Sequence, residues 1–364
     1  MKIGVFGGAF DPFHQEHKKI IMAAHDELGL DTVIVLPSYL PPHKKGQIAL
    51  YEDRRAMVEA ACQDLPYVVI DDLERERGTV NPTSITLPIL REKYPADEFF
   101  FIMGGDSAEN FHKWIDPCSI AKTAKIVVVA RKGGGDVSVA IERMRKLFSA
   151  DVRLLSFCGD FISSSSIKAS VMVGLEPSGL SKEVLDVITD RRLYTTFSDL
   201  VDRVKADIPE KTFWHVARTA VYAESFCGLL GLKFEEVFLA AFLHDCAKHL
   251  AVQIEGVPSP VVHQFTGADL ARDKYGVEDE TILDAIRYHT TGKTNMSTLG
   301  KLIFCADILE PGRSYEGVED LRRIIFADFE KGFVACVKRC YDHLVEKGGE
   351  IYYLTKECLD FYNR

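Results

Sequence analysis

Apolar positions follow two different rhythms along the chain. Up to about residue 195, short continuous apolar runs alternate with segments of helical spacing. Lys2–Phe6, Asp31–Leu36 (DTVIVL), Val68–Ile70, Glu98–Met103 (EFFFIM), Lys125–Ala130 (KIVVVA) and Val152–Leu155 read as strands. The longer runs are apolar throughout, as expected of strands buried on both faces. Between them, helical spacing runs from near His14 through Ile20, Ile21 and Leu28, over Tyr51–Cys62, and over Ser84–Lys93 with Thr83 or Ser84 as its cap. This βαβα order predicts a parallel sheet with helices on both faces. From Phe197 onward no strand pattern remains. The segments 197–207, 211–231, 234–250, 264–275, 278–289, 297–309 and 318–346 carry helical spacing, which predicts an all-α second domain. The expected domains are 1–196 and 197–364, a division that a length of 364 residues also favours.

Composition narrows the classes. A formal net charge of −10 argues against a general nucleic-acid binder while leaving room for local anion sites. The nine cysteines are scattered without a CxxC pair, which reads as free thiols in a reducing compartment, hence a cytoplasmic chain. The N-terminus MKIGVFGGAF reads as the entry to a strand, not a signal peptide, and no apolar run is long enough for a membrane span.

Two segments of the first half are built for phosphate. GVFGGAFDPFHQEH follows the first strand: Gly7 and Gly8 allow a close backbone approach, and His14 and His17 share one face of the first helical turn. Free N–H groups at a helix start beside two imidazoles suit a triphosphate. The spacing fits neither a dinucleotide fingerprint nor a Walker A loop. ISSSSIK, 162–168, opens a later helix with Ser163 and Ser164 and places Lys168 one turn in. A serine run alone marks an ordinary capped helix start equally well.

Together the two segments resemble the nucleotidylyltransferase superfamily, which pairs an HxGH element with an ISSTxxR-like element, and within it the nicotinate-mononucleotide adenylyltransferases. The resemblance spans roughly 1–195 and includes PSYLPPHKK (37–45), TSITL (83–87), GGDSAENFHKW (104–114) and VARKG (129–133). It implies a Rossmann-like α/β fold and adenylyl transfer from ATP, with Mg²⁺, to nicotinate mononucleotide, giving nicotinate adenine dinucleotide and pyrophosphate. By this likeness His14 and His17 act on the ATP phosphates with Lys168. Gly7, Gly8, Phe10, His43, Lys44, Ser163, Ser164 and Arg131 line the nucleotide site, Asp106 meets ribose or adenine-side groups, and Thr86 and Trp114 meet the nicotinate ring. Two positions depart from the pattern. Glu16 stands where the family has Gly, which would crowd or repel ATP, and Lys168 stands where Arg is usual, losing the bidentate fork. The alternative is a first domain that binds nucleotide and regulates the second.

The second half contains HDCAK (244–248), with His215 on an earlier helix and Asp307 on a later one in FCADILEPGR. His263 and His289 lie between. Imidazoles with carboxylates suit Fe, Mn, Co or Zn better than Ca²⁺, and a bridging Asp245 would complete a second metal. HDCAKH, HQFTGA, HTTGK and ADILEPGR resemble the HD superfamily of metal-dependent phosphohydrolases, in particular a bacterial branch that splits diadenosine tetraphosphate symmetrically into two ADP at a di-iron centre. That likeness makes His215, His244, Asp245, His263, His289 and Asp307 metal ligands. Lys248, four residues after His244 and on the same expected helix face, would offset phosphate charge. Arg313 would hold a distal phosphate, with Glu310 orienting it or a water. The likeness implies dinucleoside polyphosphates as substrates and also admits guanosine tetraphosphate alarmones, nucleoside monophosphates and cyclic dinucleotides, the last disfavoured because no GYP triplet follows the HD element. Gln264, where such proteins often have Gly, adjoins the ligand His263.

Overall fold

The six apolar runs form the six strands of one sheet in a computed structural model that describes residues 1–41, 48–132, 136–160, 162–348 and 351–363. They are β1 (Lys2–Gly8), β2 (Thr32–Pro37), β3 (Val68–Ile70), β4 (Glu98–Gly104), β5 (Lys125–Arg131) and β6 (Val152–Gly159). All pairings are parallel, in the order β3-β2-β1-β4-β5-β6. The order reverses between β1 and β4, and in such doubly wound sheets ligands bind outside the carboxyl ends of the strands at that reversal. The interiors of β2, β4 and β5 are buried on both faces, matching their unbroken apolar runs. Ile3, Val5, Phe99, Phe101, Ile126 and Val128 form one core with Leu87, Leu90 and Phe111 from the flanking helices.

By contacts, one unit comprises 1–164 and 178–193, and the other comprises 165–177 and 194–364. The main change of unit therefore falls at 193/194, a few residues before the expected 196/197. The helix Ser164–Val173 carries most of its length into the second unit, because its apolar residues Ala169, Met172 and Val173 belong to the helical core.

The second unit is helical. Its helices include Ser198–Asp207, Glu210–Glu224, Phe234–Leu243, Ser259–Asp273, Glu280–Arg287, Thr298–Leu309, Val318–Ala327 and Phe329–Glu346. A further helix, Tyr353–Tyr362, lies beyond the expected segments. The expected helix 234–250 stops at Leu243, and 244–248 continues as turns with i→i+3 bonds from Cys246 N–H to Leu243 and from Lys248 N–H to Asp245. Phe213, Val216, Phe238, Phe242, Leu283, Ile286, Leu302 and Ile303 fill the core around the helices that present the HD residues.

Candidate functional site

In the first unit a cleft opens at the carboxyl ends of β4, β5 and β6, lined by His14, Glu16, His17, Gly104, Arg131 and Asp160 among others. Helix Gln15–Leu28 starts at the cleft because β1 ends in Gly7-Gly8 and the chain then turns through the buried residues Phe10, Asp11 and Phe13. Phe10 has φ of +52°, and its ring would clash with any side chain at 8, where a Cβ would lie 2.9 Å away. That explains Gly8 by close approach. Nothing crowds a Cβ at Gly7. Phe10 supports the site by packing edge-on against His17, with ring centroids 5.2 Å apart. The His14 and His17 rings stack at 3.6 Å, and His14 N–H donates to His17 Nδ1 at 3.2 Å. Arg131 ends β5 in the same cleft and reaches Asp106 at 3.4 Å. Ser164 Oγ donates to Pro12 O at 3.3 Å, tying the second phosphate segment to the first.

Other expected residues lie elsewhere. Thr86 is buried in helix Thr83–Lys93, and Trp114 packs half-buried against Phe101 and Phe111. His43 and Lys44 fall outside the described residues, and Ser163 lies partly buried beside Ser164. Lys168 does not line the cleft. It is buried in the helical unit, its ammonium 4.8 Å from the Phe234 ring centroid and 6.0 Å from that of Tyr194. Ala169, Met172 and Val173 of the same helix belong to the core of the helical unit.

Glu16 lines the cleft as expected, with both carboxylate oxygens engaged. Its Oε2 accepts the Asp160 N–H at 2.8 Å and its Oε1 accepts from Lys19 Nζ at 2.6 Å. The carboxylate is engaged with the turn after β6, and Lys19 balances its charge.

In the second unit two groups of donors come together among the described residues: His215, His244, Asp245 and Asp307, and Asp245, His263 and His289. Asp245 joins them. Its Oδ2 lies 3.5 Å from Nε2 of both His215 and His244, and its Oδ1 lies 3.3 and 3.4 Å from Nε2 of His263 and His289. Oδ1 is buried and accepts no hydrogen bond. The imidazoles are aimed by their other nitrogens: His244 Nδ1 lies 2.7 Å from Ala241 O, His289 Nδ1 2.8 Å from Ile286 O, and His215 Nδ1 3.1 Å from Glu310 Oε1. This is the outer-shell arrangement that fixes tautomer and ring orientation in metal-binding histidines. Four converging imidazoles, two buried carboxylates and an unsatisfied buried oxygen fit divalent metal ions.

Electrostatics agree. Burial alone would raise Asp245 and Asp307, but the facing imidazoles hold both carboxyls well below the ordinary range. Burial would lower His215, yet Asp307 and Glu310 raise it. Burial opposes ionisation of Glu310 too, but His215, Arg218 and the Gly312 N–H bring it down to about 2. Lys248 Nζ sits 2.6 Å from Asp245 Oδ2, reached from a turn and not along a helix face. Arg313 Nη2 sits 2.5 Å from Asp307 Oδ1. Glu310 orients His215 in addition to lying 4.0 Å from Arg313.

Sequence reasoning missed two supports. Gln264 is fully buried; its Oε1 accepts from the N–H groups of Thr290 and Thr291 at 3.2 and 3.1 Å, and its Nε2 donates to Thr291 Oγ1. It clamps the turn after His289 to the helix bearing His263, so its presence strengthens that half of the site. Arg218, one turn beyond His215, donates to Glu310 Oε2 at 2.7 Å and holds it against His215. Its i,i+3 spacing from His215 was the available signal.

A switch-point cleft with paired histidines, and a helical unit gathering a His/Asp cluster, define a nucleotidyltransferase-type domain joined to a metal-dependent HD hydrolase domain. Residues 5–170 match the cytidylyltransferase-like family and residues 212–312 match the HD domain. A "Probable nicotinate-nucleotide adenylyltransferase" of Geobacter metallireducens is 35% identical over 214 residues, covering 54% of this chain and 99% of that protein. A "Probable nicotinate-nucleotide adenylyltransferase/Ap4A hydrolase" of Mycoplasma genitalium is 28% identical over 329 residues, covering 86% of this chain and 89% of that protein. A solved structure described as a predicted HD superfamily hydrolase involved in NAD metabolism, from Clostridium acetobutylicum, is 28% identical, covers 46% of this chain and 97% of that one, and has a TM-score of 0.44. The chain belongs to the nicotinate-nucleotide adenylyltransferase family, and it is an enzyme that carries an HD hydrolase domain as well.

Proposed function

We propose that the first domain transfers the adenylyl group of ATP to nicotinate mononucleotide and that the HD domain splits diadenosine tetraphosphate into two ADP. The observation that carries the hydrolase reading is Asp245, whose two oxygens each face a separate pair of imidazoles. Divalent transition metals there, iron in this reading, supply positive charge to phosphate oxygens and make a water more acidic. His215, His244, Asp245 and Asp307 hold one, and Asp245, His263 and His289 the other. Lys248 and Arg313, each already against a ligand carboxylate, are placed to take up phosphate charge. Glu310 keeps His215 in its metal-facing orientation.

In the first domain ATP enters as its Mg²⁺ complex, the phosphate of nicotinate mononucleotide attacks the α-phosphorus, and pyrophosphate leaves. His14, His17 and Arg131 supply charge around the phosphates, Gly7 and Gly8 the turn, and Ser163 and Ser164 the donors at the second helix start; alignment and charge stabilisation suffice for such a transfer. Asp106 orients Arg131, and Lys44 adds a further cation for the phosphates. Only the resemblance assigns Thr86 and Trp114 to the pyridine side; neither lines the cleft. The nine cysteines are all free, which accords with work in the reducing cytoplasm, and no described helix is long and apolar enough to cross a membrane.

The burial of Lys168 favours a second reading, in which the first domain binds nucleotide without turnover. The full chain, given ATP, Mg²⁺ and nicotinate mononucleotide, should release pyrophosphate and form the dinucleotide; ATP binding without release selects the second reading. With diadenosine tetraphosphate, ADP should be the single product. A mixture of AMP and ATP would refute symmetric cleavage.

A further inference from the structure

Glu16 lies between the two histidines in sequence and lines the same cleft, yet it is 4% exposed and both its oxygens are engaged. Oε2 holds the backbone N–H of Asp160, the first residue after β6 and three before Ser163. Gly159 permits this approach: a Cβ there would lie 3.1 Å from Glu16 Oε2. Oε1 holds Lys19, which also lies 3.8 Å from Asp160 Oδ2, while Asp160 Oδ1 pairs with Lys132 at 2.7 Å. The carboxylate thus ties the start of the helix bearing His17 to the strand end that leads into the serine segment.

We propose that Glu16 is a positioning residue that braces Asp160, at the end of β6, against the helix start bearing His14 and His17, and that Lys19 is its counter-ion, keeping the cleft open to a polyanionic nucleotide. The inference rests on the first domain being a site for ATP. Two effects of a carboxylate at position 16 have opposite sign. As an uncompensated charge it repels the triphosphate; as a neutralised acceptor it fixes the donors that meet the triphosphate. The bond to Asp160 N–H and the pairing with Lys19 favour the second, and the two can be separated. Gln at 16 keeps an acceptor for Asp160 N–H without the charge, Gly removes both, and loss of Lys19 exposes the charge.

The test uses the full chain with E16Q, E16G, K19M and the double variant E16Q/K19M. ATP dissociation constants are measured by calorimetry, kcat and KM for adenylyl transfer by pyrophosphate release, and hydrolysis of diadenosine tetraphosphate serves as a check that the chain is folded. E16G should weaken ATP binding by about tenfold and raise KM(ATP) more than it lowers kcat, and K19M should weaken binding by a similar factor. E16Q should cost less than about threefold, and E16Q/K19M should recover most of the K19M loss, a coupling that a purely structural residue would not give. ATP binding by E16G equal to or tighter than wild type overturns the proposal, as does a double variant no better than K19M. Binding that follows the expected pattern in a chain without transfer activity removes the catalytic reading and keeps the brace. A wild-type chain that binds no ATP overturns both.

Discussion

Gln264 and Glu310 support the His/Asp cluster without belonging to it, and each is held by specific geometry. Gln264 fixes the Thr290–Thr291 turn directly after His289, so Gln264→Ala should release that imidazole. Removing outer-shell partners typically costs about 10–100-fold in metal affinity. Metal analysis after dialysis should therefore fall from about two ions per chain toward one in this variant; retention of two would show that the turn holds itself. The six His and Asp residues that the fold gathers were legible in the sequence because their types and order match the resemblance. The sequence hid the work of Gln264 and Arg218, and the contact of Glu310 with His215, which depend on which neighbours the fold brings within hydrogen-bond reach. Glu16 shows the same dependence: as a letter it is a carboxylate beside phosphates, and in the fold both of its oxygens are engaged. Glu74 is another buried carboxyl whose behaviour only the fold reveals. Burial raises it to about 7, against the Tyr39 N–H and Arg54, which lower it. Below about pH 4.5 the group is protonated both folded and unfolded; as pH rises toward 7 the unfolded chain ionises first, and folding stability falls. Glu74→Gln, which keeps an acceptor for Tyr39 N–H, should thus change little at pH 4.5 and stabilise the chain at pH 8 by on the order of 2–3 kcal/mol. Urea unfolding at the two pH values checks the difference, and equal effects at both would refute the assignment.

At the scale of elements, all six strands were legible, because the long ones are continuous apolar runs and β3, though short, falls in the alternating rhythm. Helix ends were less so. The apolar run LAAFL stops with Leu243, and the residues that follow form turns that let His244 and Asp245 face the metal-binding space. Helix Tyr353–Tyr362 buries only Thr355 and Cys358, too sparse a stripe to stand out by spacing. The largest misreading concerns segment 165–177. Helical spacing tells which face is apolar but not which core receives it, and here Ala169, Met172 and Val173 join the core of the second unit. This has a direct consequence for fragments. A chain cut at 196/197 leaves the helical piece without Met172 and Val173, whose burial contributes about 1.5–3 kcal/mol each. Fragment 197–364 should unfold at clearly lower urea than 165–364, with a stability deficit of several kcal/mol on the same bookkeeping. Coincident midpoints would mean that the segment is dispensable to that core.

At the scale of the whole chain, a net charge of −10 coexists with two sites for polyanions because each site solves the charge problem locally. In the proposed function the first relies on His14, His17, Arg131 and the Lys19–Glu16 pairing, and the second on metal ions, with Lys248 and Arg313 beside the clustered carboxylates. The solutions differ in donor chemistry, and this predicts how they respond to metal removal. The HD site offers four imidazoles against two carboxylates, a donor set that favours borderline transition metals over Mg²⁺, which prefers oxygen ligands and retains its waters. Chelation followed by dialysis should abolish hydrolysis of diadenosine tetraphosphate. Adding Mg²⁺ alone should then restore adenylyl transfer, whose metal arrives with ATP, and leave hydrolysis at a few per cent until Fe²⁺, Mn²⁺ or Co²⁺ is supplied. His244→Ala should reproduce the chelated pattern permanently, with transfer intact, and His14→Ala should show the converse. Product chromatography under both assay conditions reads all four cases. Hydrolysis restored fully by Mg²⁺ would refute the imidazole-rich cluster as the hydrolytic centre, since a site working with Mg²⁺ would be expected to draw on carboxylate and water oxygens.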